Sequence, residues 1–171
     1  KWSIIALVFL LCVSFVPTPA IAYNDESNSI LQLSPAQPGT LLICEDLADF
    51  NYPDTIIDNV QRMSATAGQP EHCLVQGKMH ERQSPVDGQN YAIGFEMRLP
   101  VEWSGRFLYQ ANGGIDGSVA PAYGNIASGP SALARGFAVI SSDAGHHNGQ
   151  NPLFGLDPQA RLDYGYQAVG K

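Results

Sequence analysis

A strand, a glycine loop, a short helix and a second strand follow one another in residues 106–145, which read RFLYQANGGIDGSVAPAYGNIASGPSALARGFAVISSDAG. The apolar run at 106–110 ends in the loop 111–117, and the run at 137–140 predicts a buried strand. Residues 129–136 predict a short helix, with Pro130 in its first turn and Gly136 just past its end. This order is typical of a βαβ unit and predicts an α/β sheet.

Three segments that precede residues 106–145 also have patterns that predict secondary structure. Apolar residues alternate with others from Tyr91 to Leu99, which predicts a half-buried strand that stops at Pro100. Residues 73–79 predict another strand. In residues 54–63 the apolar positions recur every three or four residues, which predicts a short amphipathic helix; they are Ile56, Ile57, Val60 and Met63.

Length and charge narrow the class of protein. The chain has 171 residues, about one domain, with 9 Lys and Arg against 16 Asp and Glu, a formal net charge of −7. Because nucleic-acid binders present basic patches, this acidic balance argues against nucleic acid as a partner. The 17 Gly and 12 Pro predict many turns without the repeats or low complexity of fibrous or disordered chains.

The first residues predict export. Lys1 is followed by an apolar run from Ile4 to Val16 and by the triplet Ala20-Ile21-Ala22, the three regions of a signal peptide covering residues 1–22. The apolar run is shorter than the ~20 residues that span a bilayer, so no membrane association is expected after cleavage. A polar segment, residues 23–43, comes next. We expect a secreted or periplasmic protein.

Two cysteines remain after residues 1–22, Cys44 and Cys73. An even pair in an exported chain predicts a disulfide, and the alternative is two buried thiols. Two cysteines without a close histidine pair do not complete a zinc site, so no metal site is predicted.

Several motifs together resemble the tannase/feruloyl esterase family, which includes hydrolases of aromatic monoesters. The resemblance covers about residues 44–171 and is carried by Leu99-Pro100-x-x-Trp103-x-Gly105-Arg106-Phe107, by Asn112-Gly113-Gly114-x-x-Gly117, and by Ala134-Arg135-Gly136-Phe137-Ala138-Val139-x-Ser141-x-Asp143-x-Gly145-His146. It implies the N-terminal strands and first helices of an α/β-hydrolase sheet, with a Ser-His-Asp triad and a lid domain inserted late in the chain.

The nucleophile of such folds sits in a G-x-S-x-G turn. No serine in this chain has glycine both two positions before it and two positions after it. We therefore expect no catalytic triad residue and no lid within residues 1–171. A Gly-Cys-Ser-x-Gly-Gly-like turn is expected about 20–40 residues beyond Lys171, after a crossover helix that begins near Tyr164. No cofactor is expected in this segment, and a calcium ion is possible in the lid.

One catalytic element is expected within the chain. Acyl transfer needs backbone N–H donors for the developing oxyanion, one of them in the loop after an early strand. The resemblance implies that Gly113 or Gly114 supplies it, and the alternative is an ordinary glycine turn.

The other polar residues of interest are not expected to be catalytic. Asp143, His146 and His147 suggest a base with its acid or a metal pair, but adjacent histidines rarely bind one ion. The resemblance implies that this segment has a conformational role. Glu96 and Glu102 are expected to be solvated.

Two functions remain open from the sequence. The first is an exported serine carboxylesterase acting on small aromatic esters, inactive as this segment alone. The alternative is a non-catalytic, secreted, β-rich ligand-binding module. The oligomeric state is not indicated.

Overall fold

The computed structural model describes residues 35–170, in which β-strands predominate. The strands are β1 (Gly39–Thr40), β2 (Thr55–Met63), β3 (His72–Gln83), β4 (Asn90–Pro100), β5 (Glu102–Trp103), β6 (Phe107–Gln110) and β7 (Ala138–Ser142). Single 3₁₀ turns occupy Glu45–Asp49, Leu133–Arg135, Asn148–Gln150 and Leu153–Leu156. The described chain ends in a continuous helical segment made of α1 (Pro158–Leu162), a π-helical turn (Asp163–Gln167) and α2 (Ala168–Gly170).

The main sheet is mixed, with the strand order β2-β3-β4-β7-β6. Its pairs are antiparallel except for β6 and β7, which are parallel, with Leu108 opposite Val139. This parallel pair confirms the predicted strand, connection, strand unit and is consistent with a partial α/β fold. The helix of the connection is shorter than predicted, since it is a single 3₁₀ turn at Leu133–Arg135, and Gly136 ends it as predicted, at a φ of 80°.

The predicted strands at 73–79 and 91–99 are confirmed as parts of β3 and β4. The predicted helix at 54–63 is wrong, because these residues form β2. A bulge between Ile57 and Asn59 places Ile57 opposite Gly77 and Val60 opposite Val75. Directly paired residues share a face, so the bulge puts Ile57 and Val60 on the same side of the sheet. The irregular strand therefore imitates the three-residue spacing of a helix.

The two faces of the sheet have different surroundings. On one face the connection between β6 and β7 packs over β7 and forms a small buried core of Ala122, Ala132, Leu133 and Val139. The other face lines an open apolar groove of about 580 Å³, bordered by the 3₁₀ turn at Glu45–Asp49 and by α2. The sheet residues of this groove, which we call the apolar face, include Val75, Ile93, Phe95, Met97, Leu99, Tyr109 and Ile140.

The expectation that Glu96 is solvated is wrong. Glu96 lies on the face covered by the connection, where its Oε1 accepts hydrogen bonds from Arg98 Nε at 2.8 Å and from the backbone N–H of Ala122 at 2.9 Å. The Arg98 guanidinium lies 4.2 Å from the ring centroid of Tyr123. Glu96 and Arg98 therefore form a buried ion pair, since a later segment of the chain covers this face of β4. Glu102 is exposed, as expected.

Cys44 and Cys73 form a disulfide, with their Cα atoms 5.6 Å apart and both side chains fully buried. The disulfide joins the start of the first 3₁₀ turn to β3. The end of the predicted polar segment is also attached to the fold, because Gly39–Thr40 pair with Glu102–Trp103.

The C-terminal helical segment is attached to β3 through charged groups. Asp157 precedes Pro158 at the helix start, and its Oδ1 accepts the N–H of Ala160 at 2.7 Å. Arg82 lies 3.1 Å from Asp157 and 3.2 Å from the carboxylate of Asp163, and both aspartates are buried. Buried carboxylates need such a counter-charge, so Arg82 holds the helix in position. The expected helix near Tyr164 therefore begins earlier, at Pro158.

The predicted signal peptide, residues 1–22, lies outside the described residues. Within residues 35–170, no helix has the length and apolar character that crossing a membrane requires.

Candidate active site

The loops that follow β6 and β7 lie side by side at one edge of the sheet. They are residues 111–118, which we call the glycine loop, and residues 143–147, which we call the aspartate loop. Because β6 and β7 are parallel neighbours, their carboxyl ends meet at this edge. Ligands of α/β proteins bind in crevices outside the carboxyl ends of parallel strands.

Asn112 joins the glycine loop to β7. Its Nδ2 donates to the carbonyl oxygen of Ser142 at 2.7 Å and to that of Ser118 at 3.1 Å. The same group lies 3.2 Å from the Asp116 carboxylate and 3.3 Å from Ser141 Oγ. One carboxamide therefore connects the two ends of its own loop and the end of the neighbouring strand.

Gly113 and Gly114 are exposed at the tip of this loop. A Cβ atom built on either residue meets no atom within 4 Å, so open space lies in front of both. Gly114 has a φ of 71°, a conformation that glycine adopts without the steric cost of a side chain. Among the described residues, neither amide N–H donates a hydrogen bond. Both donors are therefore available to a bound group.

Asp143 anchors the aspartate loop to the sheet. Its Oδ1 accepts the N–H of Gly94 at 3.0 Å and that of Gly145 at 2.9 Å. A Cβ at position 94 would lie 2.7 Å from the Asp143 carboxylate, which explains a glycine within strand β4. Burial raises the pKa of Asp143 to about 6, against the two backbone hydrogen bonds that lower it. The Asp116 carboxylate also contributes to raising it.

Two residues other than glycine have positive φ angles at this edge. They are Asp116 in the glycine loop and Ala144 in the aspartate loop, both with a φ of 59°. The loops are joined next to them, since the N–H of Gly117 donates to the carbonyl oxygen of Asp143 at 3.3 Å. Such strain costs energy and collects at functional sites.

His146 does not join Asp143 and His147 in a shared cluster. Its ring is buried and stacks on Phe154, with centroids 3.8 Å apart and an interplanar angle of 12°. His147 is exposed, and its Nδ1 accepts the N–H of Gly149 at 3.1 Å to cap a 3₁₀ turn. Within residues 35–170, no three His, Cys, Asp or Glu side chains come together as a metal-binding group.

Sequence reasoning missed the roles of three residues that shape this region, Asn112, Gly94 and Arg82. Asn112 stands in a quoted motif and Gly94 in the alternating strand, but their contacts depend on which loop and strand lie beside them. Arg82 gave no signal, because its partners Asp157 and Asp163 lie more than 70 residues away. A glycine inside an otherwise alternating strand was the one available sign of a close approach at Gly94.

The fold and the site define a mixed-sheet α/β protein with a candidate binding edge at the carboxyl ends of two parallel strands. The chain belongs to the family described as tannase and feruloyl esterase, which matches residues 73–171. This confirms the resemblance found in the sequence.

Curated relatives carry the names of ester hydrolases. Mono(2-hydroxyethyl) terephthalate hydrolase from Piscinibacter sakaiensis is 43% identical over 147 residues, which cover 73% of this chain and 24% of the relative. Probable feruloyl esterase B-2 from Aspergillus flavus is 38% identical over 78 residues, covering 46% of this chain and 14% of the relative. The chain therefore spans a quarter or less of the length of these relatives.

Proposed function

We propose that this chain is the N-terminal part of a secreted serine carboxylesterase that hydrolyses small aromatic esters. The observation that carries the proposal is the pair of exposed, unengaged amides at Gly113 and Gly114, beside the carboxyl ends of two parallel strands. Membership of an esterase family supports the reaction class. The relatives' names, a terephthalate monoester hydrolase and a feruloyl esterase, support an aromatic acyl group.

The proposed catalytic groups come from two parts of the protein, the glycine loop of this chain and residues that follow it. A serine on a later strand attacks the ester carbonyl, a histidine accepts its proton, and an aspartate orients that histidine. The glycine loop donates an N–H to the carbonyl oxygen as negative charge develops on it. The glycines suit this role because no side chain blocks the approach of a substrate. We expect no cofactor within this segment, and any calcium ion would bind in a later lid.

Export is part of the same proposal. Residues 1–22 have the composition of a signal peptide, and the buried Cys44–Cys73 disulfide fits an oxidising compartment. We place the protein outside the cytoplasm, secreted or periplasmic.

The first experiment measures ester hydrolysis by the complete product of the gene that encodes this chain. We expect turnover of a nitrophenyl ester and of aromatic monoesters, abolished by a serine-directed inhibitor. Gly114→Ala forces a side chain into a positive-φ position and turns the neighbouring peptide groups, so we expect kcat to fall about 10²–10³-fold, the usual effect of losing an oxyanion donor. Gly88→Ala is the matched control, because Gly88 also has a positive φ, 70°, and open space around it but lies in the turn between β3 and β4. Normal kcat in Gly114→Ala would contradict the assigned role.

The second experiment tests the division of the active site. Purified residues 23–171 should hydrolyse no nitrophenyl ester above the blank, since the glycine loop alone has no nucleophile to assist. Inhibitor-sensitive turnover by this segment would show that the nucleophile lies within it.

Reading the neighbouring DNA tests the position of the nucleophile. We expect a Gly-Cys-Ser-x-Gly-Gly-like turn about 20–40 residues beyond Lys171, after the helix that begins at Pro158. A stop codon directly after Lys171, with no such turn in any nearby frame, would oppose the esterase proposal.

The apolar groove favours the second candidate, a ligand-binding module. Its volume of about 580 Å³ lies within the range of small-molecule pockets. Saturable binding of an apolar fluorescent probe, competed by aromatic monoesters in a complete gene product without esterase activity, would favour this candidate over the enzyme.

A further inference from the structure

We propose that Asn112 is a positioning residue that holds the glycine loop in the geometry required for oxyanion binding. The inference rests on the proposed function, since it concerns the same loop. The Asn112 side chain does not touch the reacting atoms. Its role is to fix the position of the backbone N–H donors that follow it in the loop.

The contacts of Asn112 fix the orientation of its carboxamide. Ser142 O, Ser118 O and the Asp116 carboxylate can only accept hydrogen bonds, and all three lie within 3.2 Å of Nδ2. The Oδ1 atom accepts instead from the Ser141 hydroxyl at 3.4 Å. A carboxamide, which carries a donor and an acceptor on the same carbon, satisfies this arrangement.

The loop has little else to hold it near its tip. A Cβ atom built on Gly113 or Gly114 would meet no atom of the described residues within 4 Å, and the Asp116 N–H donates weakly to Gly113 O at 3.4 Å. The next attachments lie at Asp116, whose carbonyl oxygen accepts from Asn151 Nδ2 at 3.3 Å, and at Gly117, which bonds to Asp143 and Asn148. Asn112 therefore anchors the N-terminal side of the glycine pair, and Asp116 and Gly117 anchor the C-terminal side. Removing the first anchor leaves the two amides free to turn away from a bound carbonyl oxygen.

The decisive variant is Asn112→Asp, which keeps the shape of the side chain and replaces its NH₂ group with an acceptor. The new carboxylate faces two carbonyl oxygens and the Asp116 carboxylate, so the loop must move. Asn112→Ala removes the contacts without adding repulsion. Asn125→Asp is the matched control, because Asn125 is exposed and lies outside both loops.

The experiment uses the complete gene product and measures two quantities. Amide hydrogen exchange of the peptide covering residues 111–118 should speed up in both Asn112 variants and stay unchanged in Asn125→Asp. On a nitrophenyl ester, kcat should fall about 10–100-fold with KM within about twofold, because a misplaced donor weakens transition-state binding more than ground-state binding. A merely structural role would lower the amount of folded protein and leave kcat per active site unchanged.

The two proposals fail in different ways. Wild-type exchange or wild-type kcat in the Asn112 variants, with kcat lowered in Gly114→Ala, would overturn the role of Asn112 and leave the esterase proposal intact. An unmodified gene product without esterase activity would contradict the proposed function, and unchanged exchange in the Asn112 variants would overturn the positioning role independently.

Discussion

At the scale of single residues, Asp143 shows how burial and hydrogen bonding oppose each other on one carboxyl group. Two backbone N–H groups stabilise its charged form, yet burial outweighs them and raises the pKa to about 6. The folded state therefore holds the Asp143 proton more tightly than the unfolded chain does. Its favourable contribution to stability is complete below about pH 4 and is lost as the pH rises through 6.

The raised pKa of Asp143 predicts how Asp143→Asn changes the pH dependence of the free energy of unfolding. The amide oxygen still accepts the hydrogen bonds of Gly94 and Gly145, but the side chain carries no charge at any pH. Urea unfolding at pH 4 should give similar stabilities for variant and wild type, while at pH 7.5 the variant should be more stable by about 2–3 kcal/mol. The exposed Asp49→Asn serves as the control. Parallel pH profiles for wild type and Asp143→Asn would contradict the prediction.

At the scale of elements, the contact between β2 and β3 depends on Gly77. A Cβ at this position would clash with the backbone oxygen of Ile56 and lie 2.9 Å from the Phe95 ring. Backbone cannot yield as a flexible side chain does, so Gly77→Ala should lower the free energy of unfolding by about 1–3 kcal/mol. Gly68→Ala, with open space around it, should change it by no more than about 1 kcal/mol. Equal unfolding midpoints for the two variants would exclude this account of β2–β3 packing.

The Cys44–Cys73 disulfide also involves β3, which it joins to the 3₁₀ turn at Glu45–Asp49. It closes a loop between residues 29 positions apart, which on the chain-entropy model contributes about 3–4 kcal/mol. Non-reducing digestion and mass spectrometry of the exported protein should recover the Cys44 and Cys73 peptides as one linked species. Reduction should lower the unfolding temperature in the wild type and leave a Cys44→Ala/Cys73→Ala protein unaffected. Ready alkylation of both thiols without reductant would rule out the bond.

At the scale of the whole molecule, the two faces of the sheet differ in what covers them. The apolar face is open to the groove, and Phe107 on the edge strand β6 is 56% exposed. Open strand edges and uncovered apolar surfaces promote association. Purified residues 23–171 should therefore associate with rising concentration.

Matched charge substitutions test the origin of that association. Phe107→Lys should shift the protein towards the monomer in light scattering, because it places a charge on the open edge of the sheet. Val86→Lys, at 55% exposure in the turn between β3 and β4, should leave the association unchanged. An equal effect of the two substitutions would show that net charge, and not the apolar face, controls association.

Local patterns in the sequence were sufficient for the strands at 73–79 and 91–99, the glycine that ends the 3₁₀ turn at 133–135, the cysteine pair and the parallel unit around the glycine loop. Each depends on neighbours in the chain or on a residue type with one dominant use. The tertiary structure alone decided that residues 54–63 form a bulged strand, since pairing with β3 overrode a helical spacing. It also decided that Glu96 is buried and that Asn112 bonds to Ser142. In both cases the partner comes from a segment more than 20 residues away. Alternation along a strand shows that the two faces of the strand differ, but it does not show which face the rest of the chain covers.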